Sequence, residues 1–271
     1  MHIAVAMDGR KLARRAMSAR ASERAFLGVS ALLFAASAWA TIAWSERMSA
    51  MGGSPMMWSR MPGQSWLGAA ASFATMWTVM MVAMMLPSFA TEMWRCRTPT
   101  GWTLDAGAGW LPARLGLGYF SVWTLLGFAV FVIEVSWHSM SSQLPELARA
   151  TQPASTLLVL AAAGLQFTRW KSQHLVRCRN VSRELHSSAA HPGREFRLGM
   201  RLGVYCGYSC LGLTAVLLVF GVMDLRVMMA VAGAITAERV SADGQRSARA
   251  VGMVLLGVAM SMFVQLIGPA S

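Results

Sequence analysis

The sequence predicts an all-α protein, a polytopic transmembrane helix bundle of seven spans. Three observations carry that expectation. The chain has 271 residues, of which 55% are hydrophobic and only 13% charged, against about 25% charged in a soluble domain. Its apolar residues gather into runs close to the roughly 20 residues that cross a hydrocarbon core. Its basic residues collect between alternate runs, the pattern of cytoplasmic loops.

The elements follow in order. Residues 1–24 form a basic cytoplasmic N-terminal segment carrying Arg10, Lys11, Arg14, Arg15, Arg20 and Arg24. The apolar run after them is long enough to be retained as a span rather than cleaved as a signal peptide. Residues 25–268 form a single transmembrane helical domain. Its spans are expected at Ala25–Trp44, Leu67–Ala90, Leu115–Trp137, Ala154–Phe167, Leu202–Val222 and Ala250–Gly268. The fourth is short and extends at most to Trp170. A short run, Leu225–Ala237, makes the seventh span, or else a re-entrant helix that leaves six.

Loop charges orient the bundle. With the N-terminus inside, Arg47, Arg60, Arg149 and Arg226 fall outside and the other 20 of 24 Lys and Arg fall inside. The positive-inside rule then favours a cytoplasmic N-terminus for a multi-pass membrane protein. The same clustering argues against nucleic acid as a partner, although the net charge is +12; the basic residues are not spread over a polar, aromatic-bearing surface. The expected partners are the lipid bilayer and other membrane or periplasmic proteins. No internal repeat is evident, and the longest polar interval, residues 169–201, is too short for a separate domain. The four cysteines, Cys96, Cys178, Cys206 and Cys210, show no disulfide-scaffold spacing.

Methionine is dense in the second span. Met76, Met80 and Met84 lie at i, i+4, i+8 and share a helix face, which Met81 and Met85 widen. Pro87, with no amide hydrogen, is expected to kink or end this helix. These residues are adaptable core packing or a thioether track for Cu(I), which favours soft ligands. The preceding outer loop adds Met48, Met51, Met56, Met57 and Met61, in a Gly/Ser/Pro setting that gives them little to pack against. Glu134 and His138, also i, i+4, and Asp224 after the fifth span complete an outer set of candidate metal ligands. The alternative for them is a snorkelling carboxylate and an interfacial imidazole.

The inner side carries the main chemical signal. His174 and Cys178 are i, i+4, as are Cys206 and Cys210, so each pair presents two ligand atoms on one helix face. The two pairs flank one basic loop and are expected to converge on adjacent antiparallel helices. An imidazole with three thiolates suits Zn(II), and thiolates alone suit Cu(I). Lys171, Arg177, Arg179 and Arg201 nearby favour thiolate but repel a free cation. Buried, inert cysteines are the alternative reading. Gly199, Gly203 and Gly207 form a small-residue stripe beside the cysteines, where a partner helix is expected to approach closely.

Three blocks carry a family resemblance: MWTVMMVAMMLPS, LQFTRWKSQHLVRCR and GMRLGVYCGYSCLGLTAVLLVFGVMDLRVMMAVAGAITAER. In this order they resemble the bacterial family of predicted metal-binding integral membrane proteins. The second block is similar to a Gln-x-x-x-x-Lys-x-x-Cys-Leu-x-x-Cys-Arg segment. The third is similar to a Gly-x-x-His-Gly-x-x-Cys-x-Gly-Cys-Cys-Trp helix, a Gly-x-Met-Asn-Leu turn and a helix ending in Glu-Lys. Here His174 stands where the pattern has Cys, Leu202 where it has His, Ser209 where it has Cys and Leu211 where it has Trp. The resemblance implies that Cys178, Cys206 and Cys210, with His174 as a substitute, are the retained metal candidates.

The function expected from the sequence is therefore handling or sensing of a soft transition metal, copper ahead of zinc. A membrane scaffold or assembly subunit without its own metal is the alternative. There is no phosphate loop, haem-attachment site or nucleophile elbow, so no catalytic residue is assigned and an enzyme is disfavoured.

Overall fold

A computed structural model describes residues 2–50, 65–95, 111–184, 192–241 and 243–267. Within these residues the chain is all-helical. The helices are α1 (His2–Ala50), α2 (Trp66–Arg95), α3 (Leu111–Gln143), α4 (Pro145–Gln166), α5 (Arg169–Glu184), α6 (Pro192–Phe220), α7 (Leu225–Val240) and α8 (Gly244–Ile267).

Five of these helices are long and apolar enough to cross a membrane: α1, α2, α3, α6 and α8. The fourth span and the short run expected from the sequence are present as α4 and α7, but they fall outside this set. Helix α4 carries Glu146 in its first turn and Arg149 one turn on. Helix α7 has 16 residues, about 24 Å at 1.5 Å per residue, short of a ~30 Å hydrocarbon core. The apolar surface fits a lipid environment. Leu32, Leu67, Val254 and Ile267 are among many large apolar side chains that face outward, far more than a soluble monomer tolerates.

Two positions show how local chemistry sets the helices. Pro87 does not end its helix; α2 runs on through it to Arg95. The proline leaves the Ala83 carbonyl without its helical donor; beside it the Ser88 and Thr91 hydroxyls donate to the carbonyls of Met85 and Ser88, at 2.9 Å each. The segment LQFTRWKSQHLVRCR is not one helix. The chain breaks at Phe167–Thr168, whose amides close tight turns onto Gly164 and Leu165, and α5 starts anew. The Lys171 amide donates to the Thr168 hydroxyl at 3.4 Å, in the manner of an N-cap.

Helices α2, α3 and α6 build the centre. The Trp77 indole donates to the Trp123 carbonyl at 2.9 Å, and the Thr78 and Thr124 hydroxyls meet at 3.0 Å, locking α2 to α3. All five methionines of the opening α2 face, Met76, Met80, Met81, Met84 and Met85, are buried in this core. The packing reading of that face is thus realised.

Helix α3 meets α6 through glycine. A Cβ on Gly118 would run into the Phe196 carbonyl oxygen, and one on Gly199 into that of Leu115. On Gly203 it would lie 2.9 Å from the Tyr119 carbonyl oxygen. Two of the three glycines of the stripe are therefore used inside the fold, with α3 as the expected close partner; Gly207 has nothing within 4 Å. Helix α6 then ends at Gly221, whose φ of +108° is a C-terminal conformation that favours glycine. Its amide donates to the Leu217 carbonyl at 3.1 Å. Asp224 caps α7 by accepting from the Arg226 and Val227 amides at 2.8 and 3.2 Å. The turn is pinned to α1, where the Ser45 hydroxyl donates to the Met223 carbonyl at 2.7 Å.

Candidate metal centre

Where α5 and α7 pack on α6, Cys206 and Cys210 form a buried pair, and Cys178 is linked to their helix through Arg239 and Ser209. Cys178 is 1% exposed, Cys206 0% and Cys210 2%. Cys206 and Cys210 project from the same face of α6, as their spacing requires, with sulfurs 4.0 Å apart. Two sulfurs bound to one ion at ~2.3 Å each lie at most ~4.6 Å apart, so this pair is within reach of a single soft cation. The Tyr119 hydroxyl of α3 lies 2.9 Å from the Cys206 sulfur. The Ser209 hydroxyl lies 3.8 Å from that of Cys210 and donates to the Cys206 carbonyl at 2.9 Å.

The third thiol approaches through an arginine. Arg239, at the end of α7 and 3% exposed, donates to the Cys178 sulfur and to the Ser209 oxygen, both at 3.0 Å. Its Nε is buried without a hydrogen-bond partner. The guanidinium thus lies between the Cys178 sulfur of α5 and the Ser209 hydroxyl of α6, next in sequence to Cys210. Burial pushes the Cys178 thiol up, against the opposing pull of Arg239.

An ion pair closes the site on the other flank. The Lys171 ammonium of α5 donates to Glu238 of α7 at 2.8 Å and also to the side chain of Gln166 at the end of α4. Both ions are buried, where charges persist only when paired and hydrogen-bonded. A cavity of about 10 Å³ lies alongside, lined by Gln166, Lys171, Tyr208 and Ser209 among others, about the room for one water. One basic and one acidic residue thus tie α4, α5 and α7 together next to the thiols.

His174 takes a different position. Its Nδ1 lies 2.8 Å from the Trp170 carbonyl, and its ring stacks near Trp170, Tyr205 and Tyr208 with centroids 4.4, 6.3 and 5.3 Å away. Among the described residues no group of three or more His, Cys, Asp and Glu is arranged as a ready-made metal cage. Among the described residues the four expected ligands are thus not gathered as one set: Cys206 and Cys210 pair, Cys178 is bound to Arg239, and the imidazole lies among aromatic rings.

The outer candidates are dispersed. Glu134 is half-buried on α3. His138 is exposed one turn on, and Asp224 is engaged as the cap of α7. Met76, Met80 and Met84 are core residues. The loop methionines Met51, Met56, Met57 and Met61, like Cys96, lie outside the described residues.

Tyr119, Ser209, Glu238 and Arg239 carry no weight as site residues in the sequence reading. The signal for two of them, Glu238 and Arg239, was nonetheless present. Gln166 and Lys171 stand in the family's Gln-x-x-x-x-Lys pattern, and Glu238–Arg239 stands where that pattern ends in Glu-Lys. Two adjacent ions closing an apolar helix are expensive unless partnered.

Comparison with protein-family models matches residues 74–262 to PpoB2, described as a copper chaperone family. Neither the curated proteins nor the solved structures contain a match. The matched segment covers more than half of the 271 residues and contains the whole thiol cluster with its ion pair. The chain belongs to the PpoB2 copper chaperone family.

Proposed function

We propose that this protein receives Cu(I) within the bacterial inner membrane, holds it on Cys206 and Cys210, and hands it to a membrane or periplasmic protein. The observation that carries this is the buried sulfur pair 4.0 Å apart, with Cys178 brought to the same cluster by Arg239. Cu(I) is the first-row ion best matched to a few thiolates with no oxygen ligand, and Zn(II) asks for a fourth ligand that the cluster lacks. Copper is cargo here, so a site with few ligands, from which the ion leaves readily, suits the task. The orientation with the N-terminus inside rests on the loop charges, and it puts the cluster toward the cytoplasmic side. The Met-rich face of α2 approaches the thiol pair through Tyr119: Phe89 packs on Tyr119 with ring centroids 5.1 Å apart, and Met85 and Met93 share the Phe89 face at i−4 and i+4.

The scaffold reading loses its main support, because Gly199 and Gly203 are used in the α3–α6 crossing. Elemental analysis of detergent-purified protein tests the proposal. Wild type is expected to carry about one copper per chain when loaded anaerobically. The Cys178→Ser/Cys206→Ser/Cys210→Ser variant is expected to carry none above background. Equal copper in both would end the proposal.

A further inference from the structure

We infer that Arg239 sets the valence of the ion that the thiol cluster accepts, admitting a monovalent thiophilic cation and rejecting divalent ones. This rests on the copper reading above and deepens it.

The argument begins with position. A guanidinium is always charged and presents its donors in a fixed fork. In Arg239 one arm is committed to Cys178 and the other to Ser209, at 3.0 Å each. Ser209 neighbours Cys210 in sequence, and its hydroxyl is 3.8 Å from the Cys210 sulfur. The charge is therefore anchored from two sides beside the sulfur pair. It is held at a depth where little water screens it, since Arg239 is buried.

Two consequences follow for a metal ion. First, Arg239 engages Cys178, so the pair Cys206 and Cys210 is what remains open to a cation. Two sulfurs satisfy Cu(I) or Ag(I) but leave Zn(II) or Cd(II) short of ligands. Second, the fixed charge repels an M²⁺ ion twice as strongly as an M⁺ ion at the same place. That factor of two does not depend on the other fixed charges. Glu92 on α2 is also felt by Cys178, and the Lys171–Glu238 pair neutralises itself, but both act on either ion with and without Arg239. The two effects point the same way. Removing the charge also releases Cys178, which offers a divalent ion its third thiolate.

The geometry also explains the unpartnered Nε. A side chain chosen only for hydrogen bonding would not leave a buried donor unmatched, because that costs stability. A side chain held for its charge near thiolates accepts that cost.

The test uses full-length protein in detergent, with Ag(I) as a redox-inert monovalent probe and Cd(II) as a divalent thiophile, each titrated against a competing chelator. The readout is the ratio of the two apparent affinities. Arg239→Gln keeps an amide donor and removes the charge, and the ratio is expected to fall about fivefold or more in favour of Cd(II). Arg239→Lys keeps the charge and is expected to stay within about fivefold of wild type. A ratio unchanged in Arg239→Gln, or lost equally in Arg239→Lys, overturns the inference. Should Arg239→Gln fail to fold, Arg239→Met serves in its place. It likewise removes the charge in a side chain of similar length, and the same fall is expected; an unchanged ratio overturns the inference. Failure of the underlying copper reading looks different: wild type would bind neither Ag(I) nor Cu(I), or the triple cysteine variant would bind as much as wild type.

Discussion

The ammonium of Lys171 and the carboxylate of Glu238 meet at 2.8 Å in a place where neither side chain is more than 5% exposed. They come from α5 and α7, 67 residues apart in sequence, and Gln166 completes the contact from α4. Breaking such a pair leaves one ion buried alone, which costs about 3–5 kcal/mol. Lys171→Met is therefore expected to lower the thermal midpoint in detergent sharply, and Lys171→Met/Glu238→Leu to recover much of the loss. A single variant as stable as wild type would mean that the pair does not hold α5 against α7.

The α3–α6 crossing gives a second prediction. Gly199→Leu drives a side chain into the Leu115 carbonyl, and overpacking of this kind costs about 1–3 kcal/mol or more. Gly207→Ala enters open space and is expected to change stability by less than about 0.5 kcal/mol. Fluorescence-detected thermal unfolding of the two variants side by side checks the contrast. If the two midpoints fall together, the crossing is not where the helices are closest.

How much of this was legible beforehand depends on the range of the interaction. The helices were readable from apolar runs, and the burial of Met76, Met80 and Met84 from their shared face. The i, i+4 rule placed Cys206 and Cys210 together correctly, because it is a local property of one helix. How Cys178 stands to that pair depends on a tertiary contact, the Arg239 guanidinium between Cys178 and Ser209. The rule failed to bring His174 along, because α5 turns that residue toward Trp170, Tyr205 and Tyr208 instead. Arg239 was invisible as a site residue for a similar reason. It counts toward loop charge in the sequence, and only the packing of α7 on α6 carries it to the thiols. Span counting faltered at α4 and α7, where charge near one end or shortness makes composition ambiguous.

His174 separates the sequence reading from the structural one. Its ring belongs to an aromatic box and its Nδ1 is engaged with the Trp170 carbonyl. His174→Ala is expected to lose about 1–3 kcal/mol of stability, typical of a buried side chain truncated in a packed site, with copper content per folded chain unchanged. Elemental analysis after removal of unfolded material checks this. A drop to background would return the imidazole to the ligand set.

Asp224 gives a parallel contrast on the opposite side. As the N-cap of α7 it accepts two backbone amides, and capping aspartates contribute about 0.5–2 kcal/mol. Asp224→Ala is expected to cost that much, and Asp224→Ser to restore most of it, in the same unfolding assay. Copper loading is expected to be the same in all three proteins. A loss of copper without a loss of stability would make Asp224 a ligand.

The central claim is that copper sits on sulfur, and X-ray absorption at the copper edge tests it most directly. Anaerobically loaded wild type is expected to show Cu(I) with a shell of sulfur alone, and Cys206→Ser to lose part of that shell. A shell dominated by nitrogen or oxygen, or one that Cys206→Ser leaves untouched, would contradict the account.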